Sequence, residues 1–183
     1  LVRTMERLGR VPLDGVERTP IVPSPAPYGY RNKMEYAFSG PAGKVRIGLR
    51  ERATPLDKYK KSTAVLEVCP IFSPAVERLF PVFAGFASAA GRPAFDPLAG
   101  TGYFRNLVLR ESKSTGDILA VVVTRSGGGL DLEALAAELR SSRHGPKARG
   151  QVRSLWTVEN DRVSDVVDFA GKRHIFGERA IEE

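Results

Sequence analysis

The densest group of side chains able to contact a ligand lies in Tyr28-Gly-Tyr-Arg-Asn-Lys-Met-Glu-Tyr-Ala-Phe38, which mixes aromatic, basic and amide groups. Read as an extended chain, Met34, Tyr36 and Phe38 share one face, and Lys33, Glu35 and Ala37 share the other. Val45, Ile47 and Leu49 repeat the alternation after the break at Ser39-Gly-Pro-Ala-Gly43, with Lys44, Arg46 and Arg50 opposite. This pattern predicts a β-hairpin with one apolar and one basic face. Joined by Arg31 and Lys33, and flanked by Tyr30 and Asn32, the three cations would form a compact positive surface. Such a surface gives salt-sensitive affinity for a polyanion without base specificity.

Other constellations are weaker. Arg105 and Arg110 bracket Phe-Arg-Asn-Leu-Val-Leu-Arg and, an odd number of residues apart, point to opposite faces of a strand, so at most one shares the basic surface. Arg105 is the candidate; the plainer reading is that either arginine pairs with Glu111 or Asp117. Lys58-Tyr-Lys-Lys61 offers phosphate grip around a stacking ring, or is simply a solvated loop. Ser126-Gly-Gly-Gly129 stands between a strand and a helix, where phosphate and adenosine pockets are built. It lacks the spaced G-x-G-x-x-G pattern, and the fold needs a turn there in any case. Cys69 is the single cysteine, which excludes an internal disulfide and reads by itself as a small buried hydrophobe. His144 and His174 have no metal-ligand spacing with each other or with Cys69. With carboxylates scattered and no serine on a nucleophile elbow, no self-sufficient active site is visible.

The charge sharpens the first reading. The net +7 lies entirely in residues 1–61, which hold 13 Lys/Arg against 6 Asp/Glu, while residues 62–183 hold 15 of each. A polyanion partner, nucleic acid foremost, fits that excess. At 183 residues and 42% hydrophobic, the chain is long enough for one domain that buries roughly two thirds of its unfolded surface. The longest unbroken apolar run, Ile118 to Val123, is too short to span a membrane, and no apolar leader is evident, so a cytoplasmic location is the expectation.

The elements that must position these groups follow in order. Leu1 to Leu8 has a short helical pattern, begins without methionine or cap, and reads as the tail of a longer helix in a larger protein. Five prolines between Val11 and Pro27 predict an extended connector. Residues 28–72 carry the hairpin and a short strand, Ala64 to Val68, ending at Cys69-Pro70. Residues 73–183 form an α/β portion. Ser73-Pro74 starts a helix with Val76, Leu79, Phe80, Phe83 and Ala87 as its stripe, and Pro81 predicts a kink or restart. Two strands, Tyr103 to Glu111 and Asp117 to Thr124, form a second hairpin. A helix from Asp131 buries Leu132, Leu135, Ala136 and Leu139, and a strand from Val152 to Val158 carries Trp156. The expected class is α+β: an antiparallel or mixed sheet with helices packed on it, and a ferredoxin-like α-β-β-α-β portion preceded by a β-hairpin.

Tyr28 to Glu35, Arg46-Ile-Gly-Leu49, Val65-Leu-Glu-Val-Cys-Pro-Ile71 and Phe104 to Arg110 together resemble the central domain of the RNA uracil-C5 methyltransferases, from Leu1 to Glu183. Those enzymes use S-adenosylmethionine to make 5-methyluridine in 23S ribosomal RNA or tRNA. The resemblance implies a parent with an N-terminal RNA-binding barrel and a C-terminal methyltransferase domain. A cysteine of that last domain attacks C6 of the flipped-out uracil, C5 takes the methyl group, and a carboxylate removes the C5 proton. None of those groups lies in these residues, so the chain alone is expected to be inactive. The resemblance also implies that Cys69 is one ligand of a 4Fe-4S cluster in the ribosomal RNA branch, with three further cysteines upstream. One thiolate cannot hold such a cluster, so none is expected in this chain alone.

The resulting expectation is the central domain of an RNA uracil-C5 methyltransferase acting on ribosomal RNA more than tRNA. Its RNA-binding candidates are Tyr30, Arg31, Asn32, Lys33, Lys44, Arg46, Arg50 and Arg105, and it has no catalytic or cofactor-binding residue of its own. The alternatives are a free-standing ferredoxin-like RNA-binding module and a small nucleotide-using enzyme built on Gly127 to Gly129.

Overall fold

The computed structural model describes residues 2–52, 62–141, 149–162 and 169–182. The first hairpin forms where alternation placed it. Strands β1 (Lys33–Ser39) and β2 (Arg46–Arg50) pair antiparallel with Phe38 opposite Ile47. Met34, Tyr36, Phe38, Val45 and Ile47 are buried, while Lys33, Glu35, Lys44 and Arg46 are exposed. The turn depends on Gly40, whose φ of 104° puts it in a region that side chains disfavour, and where a Cβ would lie 2.5 Å from the Lys44 carbonyl oxygen.

The second hairpin comprises β4 (Phe104–Glu111) and β5 (Ile118–Thr124), and β4 also pairs antiparallel with β1. Both hairpins therefore belong to one sheet. Strand β3 (Thr63–Val65) is shorter than expected and extends the edge beside β2, with Leu66 N still donating to the Ile47 carbonyl at 3.0 Å. Strand β6 (Val152–Glu159) pairs parallel with β5, and β7 (Arg173–Gly177), absent from the sequence reading, pairs antiparallel with β6. Among the described residues the order is β3-β2-β1-β4-β5-β6-β7, a mixed, mostly antiparallel sheet of the expected α+β class.

Helices α2 (Val76–Ala89) and α3 (Leu132–Ser141) cover one face of this sheet. Each buries the stripe read from its spacing: Val76, Leu79, Phe80, Phe83 and Ala87 in α2, and Leu132, Leu135, Ala136 and Leu139 in α3. Helix α2 runs through Pro81 without a break. Pro81 is exposed, and the carbonyl deprived of its N–H belongs to Glu77, which is exposed on the same solvent side. Ahead of α2, Ser73 Oγ accepts from Ala75 N at 3.2 Å and donates to Glu111 Oε1 at 2.6 Å. Lys113 Nζ pairs with the other oxygen of Glu111 and donates to the Phe72 carbonyl at 2.8 Å. This network fastens the start of α2 to the second hairpin.

The opposite face holds a smaller cluster, Val108, Val121, Val123 and Val158, with Leu119, Trp156 and Phe169 packed against it. At the N-terminus, α1 (Val2–Arg7) buries none of its residues, and the proline-rich connector from Val11 to Pro27 has no regular secondary structure. No helix among the described residues is long and apolar enough to cross a membrane.

Candidate nucleic-acid interface

The strand register assembles a band of cations on the sheet face without helices. Lys33 stands opposite Arg110, and Arg110 opposite Leu119; Val108 stands opposite Val121, Val121 beside Trp156, and Trp156 opposite His174. On the other side of β1, Arg46 faces Ser39 and Gly48 faces Ala37, which puts the Arg46 side chain on the Lys33 face. A groove of about 340 Å³ runs along this band. Its floor is Val108, Leu119 and Val121, its aromatic walls are Trp156 and Phe169, and its rim carries Lys33, Arg110, Lys172 and Arg179.

The groove is preorganised on one side. Trp156 Nε1 donates to Ser154 Oγ at 2.8 Å, and the His174 ring packs 4.7 Å away at 59°. Lys172 Nζ stands 5.9 Å from the Trp156 ring centre, and Lys33 Nζ 5.5 Å from that of Phe169. Lys33 also pairs with Glu35 at 2.6 Å, a half-exposed contact of small energetic weight. Among the described residues, no carboxylate pairs with Arg110, Lys172 or Arg179.

The residues singled out from sequence divide. Lys33, Lys44 and Arg46 are exposed on or beside the band, and Tyr30 is 61% exposed at its approach. That approach is held by its backbone: Gly29 N donates to the Pro70 carbonyl at 2.8 Å, Arg31 N to that of Ile71 at 2.9 Å, and Glu111 N to that of Asn32 at 2.9 Å. Arg31 reaches Met34 Sδ at 4.0 Å. Arg50 is less available than its spacing implied. It is half-buried, donating to Thr63 Oγ1 at 3.1 Å and to the Phe95 carbonyl at 3.5 Å, so it braces β3 and the Phe95 segment.

Arg105 requires a correction. Only 2% exposed, it donates to the carbonyls of Asn160 and Arg162 and stacks 4.3 Å from the Phe95 ring centre. A bulge between Phe104 and Asn106 interrupts the alternation that the sequence reading counted on. Arg110, set aside in favour of Arg105, is the one on the groove. Neither arginine takes the ion pairs considered for them: Glu111 is held by Ser73 and Lys113, and Asp117 by Arg153 at 3.2 Å. Reasoning from sequence missed Trp156, Phe169, Lys172 and Arg179 as site residues. The alternation in Lys172-Arg-His-Ile-Phe176 was the available signal for β7.

The remaining candidates carry no site of their own. Lys58 to Lys61 and His144 lie outside the described residues. Gly127, Gly128 and Gly129 all have positive φ, and Arg92 donates to the Gly127 carbonyl at 3.3 Å. The charged groups lining the hollow beside them are Glu159, Asp161 and Arg173. Hydrogen bonds from Ser126 N at 3.0 Å and from Arg125 hold the Asp161 carboxyl below its ordinary pKa. Cys69 is buried and free, beside Tyr36. Among the described residues no three His, Cys, Asp or Glu side chains are grouped to hold a metal, and a lone thiol does not fit a cluster that needs four.

An α+β domain with a cationic, aromatic-lined sheet face has the makings of a nucleic-acid-binding surface. Comparison with known proteins narrows this. No family model matches the chain. An uncharacterized RNA methyltransferase of Clostridium acetobutylicum is 28% identical over 93% of this chain and 36% of its own length. One from Clostridium tetani is 26% identical over 98% of this chain and 38% of its own length. The tRNA (uracil(54)-C(5))-methyltransferase of Pyrococcus horikoshii is 28% identical over 80% of this chain and 36% of its own length. The crystal structure of Pyrococcus abyssi tRNA (uracil-54, C5)-methyltransferase in complex with S-adenosyl-L-homocysteine shares the fold, with a TM-score of 0.60 at 23% identity over 80% of this chain and 30% of that one. The chain is thus related to the RNA methyltransferases, as its motifs indicated, and spans a little over a third of the length of these curated relatives.

Proposed function

We propose that this chain is the central, RNA-contacting portion of an S-adenosylmethionine-dependent RNA (uracil-C5) methyltransferase of the cytoplasm. The observation that carries the reading is the match of nearly the whole chain to about a third of several RNA methyltransferases. The cationic sheet face supports it, because a large folded RNA needs contacts beyond the base that reacts. S-adenosylmethionine, bound by the rest of the enzyme, supplies the methyl group. The residues of this chain hold the RNA: Lys44, Arg46 and Lys33 meet its phosphates from the β1–β2 hairpin, with Tyr30, Arg31 and Asn32 at the approach. Ribosomal RNA is the favoured substrate on the strength of Cys69, which would be one ligand of a 4Fe-4S cluster completed by thiols of the parent; the relatives named for a substrate act on tRNA.

The test is direct. Full-length enzyme should transfer label from S-adenosylmethionine to C5 of a uracil in a ribosomal RNA transcript, and transfer to a tRNA transcript alone would reassign the substrate. In the chain itself, changing Lys44 and Arg46 together to alanine should weaken RNA binding and flatten the log–log salt slope by about 1.4, at roughly 0.7 per phosphate contact. An unaltered slope would remove the hairpin from the interface.

A further inference from the structure

The groove between β1, β4, β6 and the Phe169 to Arg179 segment has a composition that a surface for duplex phosphates does not need. A cationic strip alone suffices to follow a backbone. Here the cations surround an apolar floor and two aromatic walls, and the indole of Trp156 is locked by its bond to Ser154. At about 340 Å³ the space lies at the small end of ligand pockets, enough for one nucleotide. The apolar lining matters most: Val108 and Val121 are already covered by Trp156 and Phe169, and the partly exposed Leu119, Trp156 and Phe169 are what the groove offers the face of a base.

Resting on the reading of this chain as an RNA-binding portion, we infer that the groove receives a single unpaired nucleotide of the RNA. Its base packs against the Trp156–Phe169 wall, and Arg110, Lys172 and Arg179 meet the adjoining phosphates. Lys33, tied to Glu35, contributes less. The groove thereby selects a looped-out or single-stranded stretch, while the Lys44–Arg46 side accepts any backbone. No covalent step is involved.

Trp156 is the only tryptophan of the chain, so the protein carries its own reporter. Titration with an eight-nucleotide single-stranded RNA should quench its fluorescence. A base-paired RNA hairpin and inorganic polyphosphate should bind in a filter assay without comparable quenching. Changing Arg110 and Arg179, both exposed, to alanine should cost about tenfold in single-strand affinity, abolish the quenching and lower the salt slope by about 1.4. Circular dichroism would establish that this variant keeps its fold, and a single R110A variant gives a second reading if the double one does not. Single-strand binding that leaves Trp156 fluorescence and the R110A/R179A affinity unchanged overturns the groove while leaving RNA binding to the hairpin. Equal quenching by polyphosphate reduces the groove to an anion site and likewise overturns the inference. Failure of the wild-type chain to bind any RNA overturns the broader reading.

Discussion

The two faces of the sheet are built to different rules. Toward α2 and α3, the strands other than the short edge strand β3 contribute apolar groups that pack against the helical stripes: Tyr36 packs edge-on to Phe80 at 4.8 Å, and Phe38 lies 5.4 Å from Phe104. Toward the other side, small β-branched residues form a thin apolar floor, and long cationic side chains stand around it. The first face closes a core. The second covers a small apolar cluster with partly exposed rings and leaves Arg110, Lys172 and Arg179 without a carboxylate partner among the described residues.

The sharpest way to break that contrast is to test whether both faces carry the fold equally. Phe83 is fully buried under α2, and Phe83→Ala should destabilise the chain by about 3–5 kcal/mol in urea unfolding. Val123→Ala, buried on the opposite face, removes far less volume and should cost about 1–2 kcal/mol. Equal losses would mean that the second face is core as well, and the case for a ligand surface there would collapse.

Next in size is the pair of arginines on β4. Arg105 is buried, bonded to two carbonyls and stacked on Phe95, so Arg105→Ala should cost about 2–4 kcal/mol of stability and leave RNA affinity within about twofold. Arg110→Ala should do the reverse, since Arg110 is exposed and faces the groove. A loss of affinity with Arg105→Ala in a protein of undiminished stability would restore the original assignment.

These arginines also mark where the sequence stopped being readable. Alternation located β1 and β2, and helical spacing gave both buried stripes residue by residue, because each depends on neighbours within one element. The bulge at Phe104–Asn106 is set by what packs on either side of β4, and a period-two count runs straight through it. The groove was hidden for a similar reason. Trp156, Phe169, Lys172 and Arg179 meet Lys33 and Arg110 only because β7 folds back on β6 and β4 lies beside β1, pairings between segments far apart in the chain. The basic hairpin was legible because it is local; the aromatic half of the site is a product of topology.

The smallest expected effect tests the closed face at a buried polar group. The Tyr36 hydroxyl is buried and faces the Cys69 thiol without a hydrogen bond of ordinary geometry, and burial above all, with the thiol beside it, raises its pKa far above that of a free phenol. The native state therefore keeps this proton where the unfolded chain, titrating near its usual value of about 10, gives it up. Stability from this source is complete below that value and lost as pH rises beyond it, at about 1.4 kcal/mol per pH unit. Tyr36→Phe removes both the unsatisfied hydroxyl and the titration. Its stability at pH 7 should stay within about 1 kcal/mol of wild type, with a gain as the expected sign. Urea unfolding of both proteins at pH 8 and pH 11 would show a shallower decline in the variant. Parallel declines would mean that the hydroxyl reaches water, and that the core under α2 is less closed than its packing indicates.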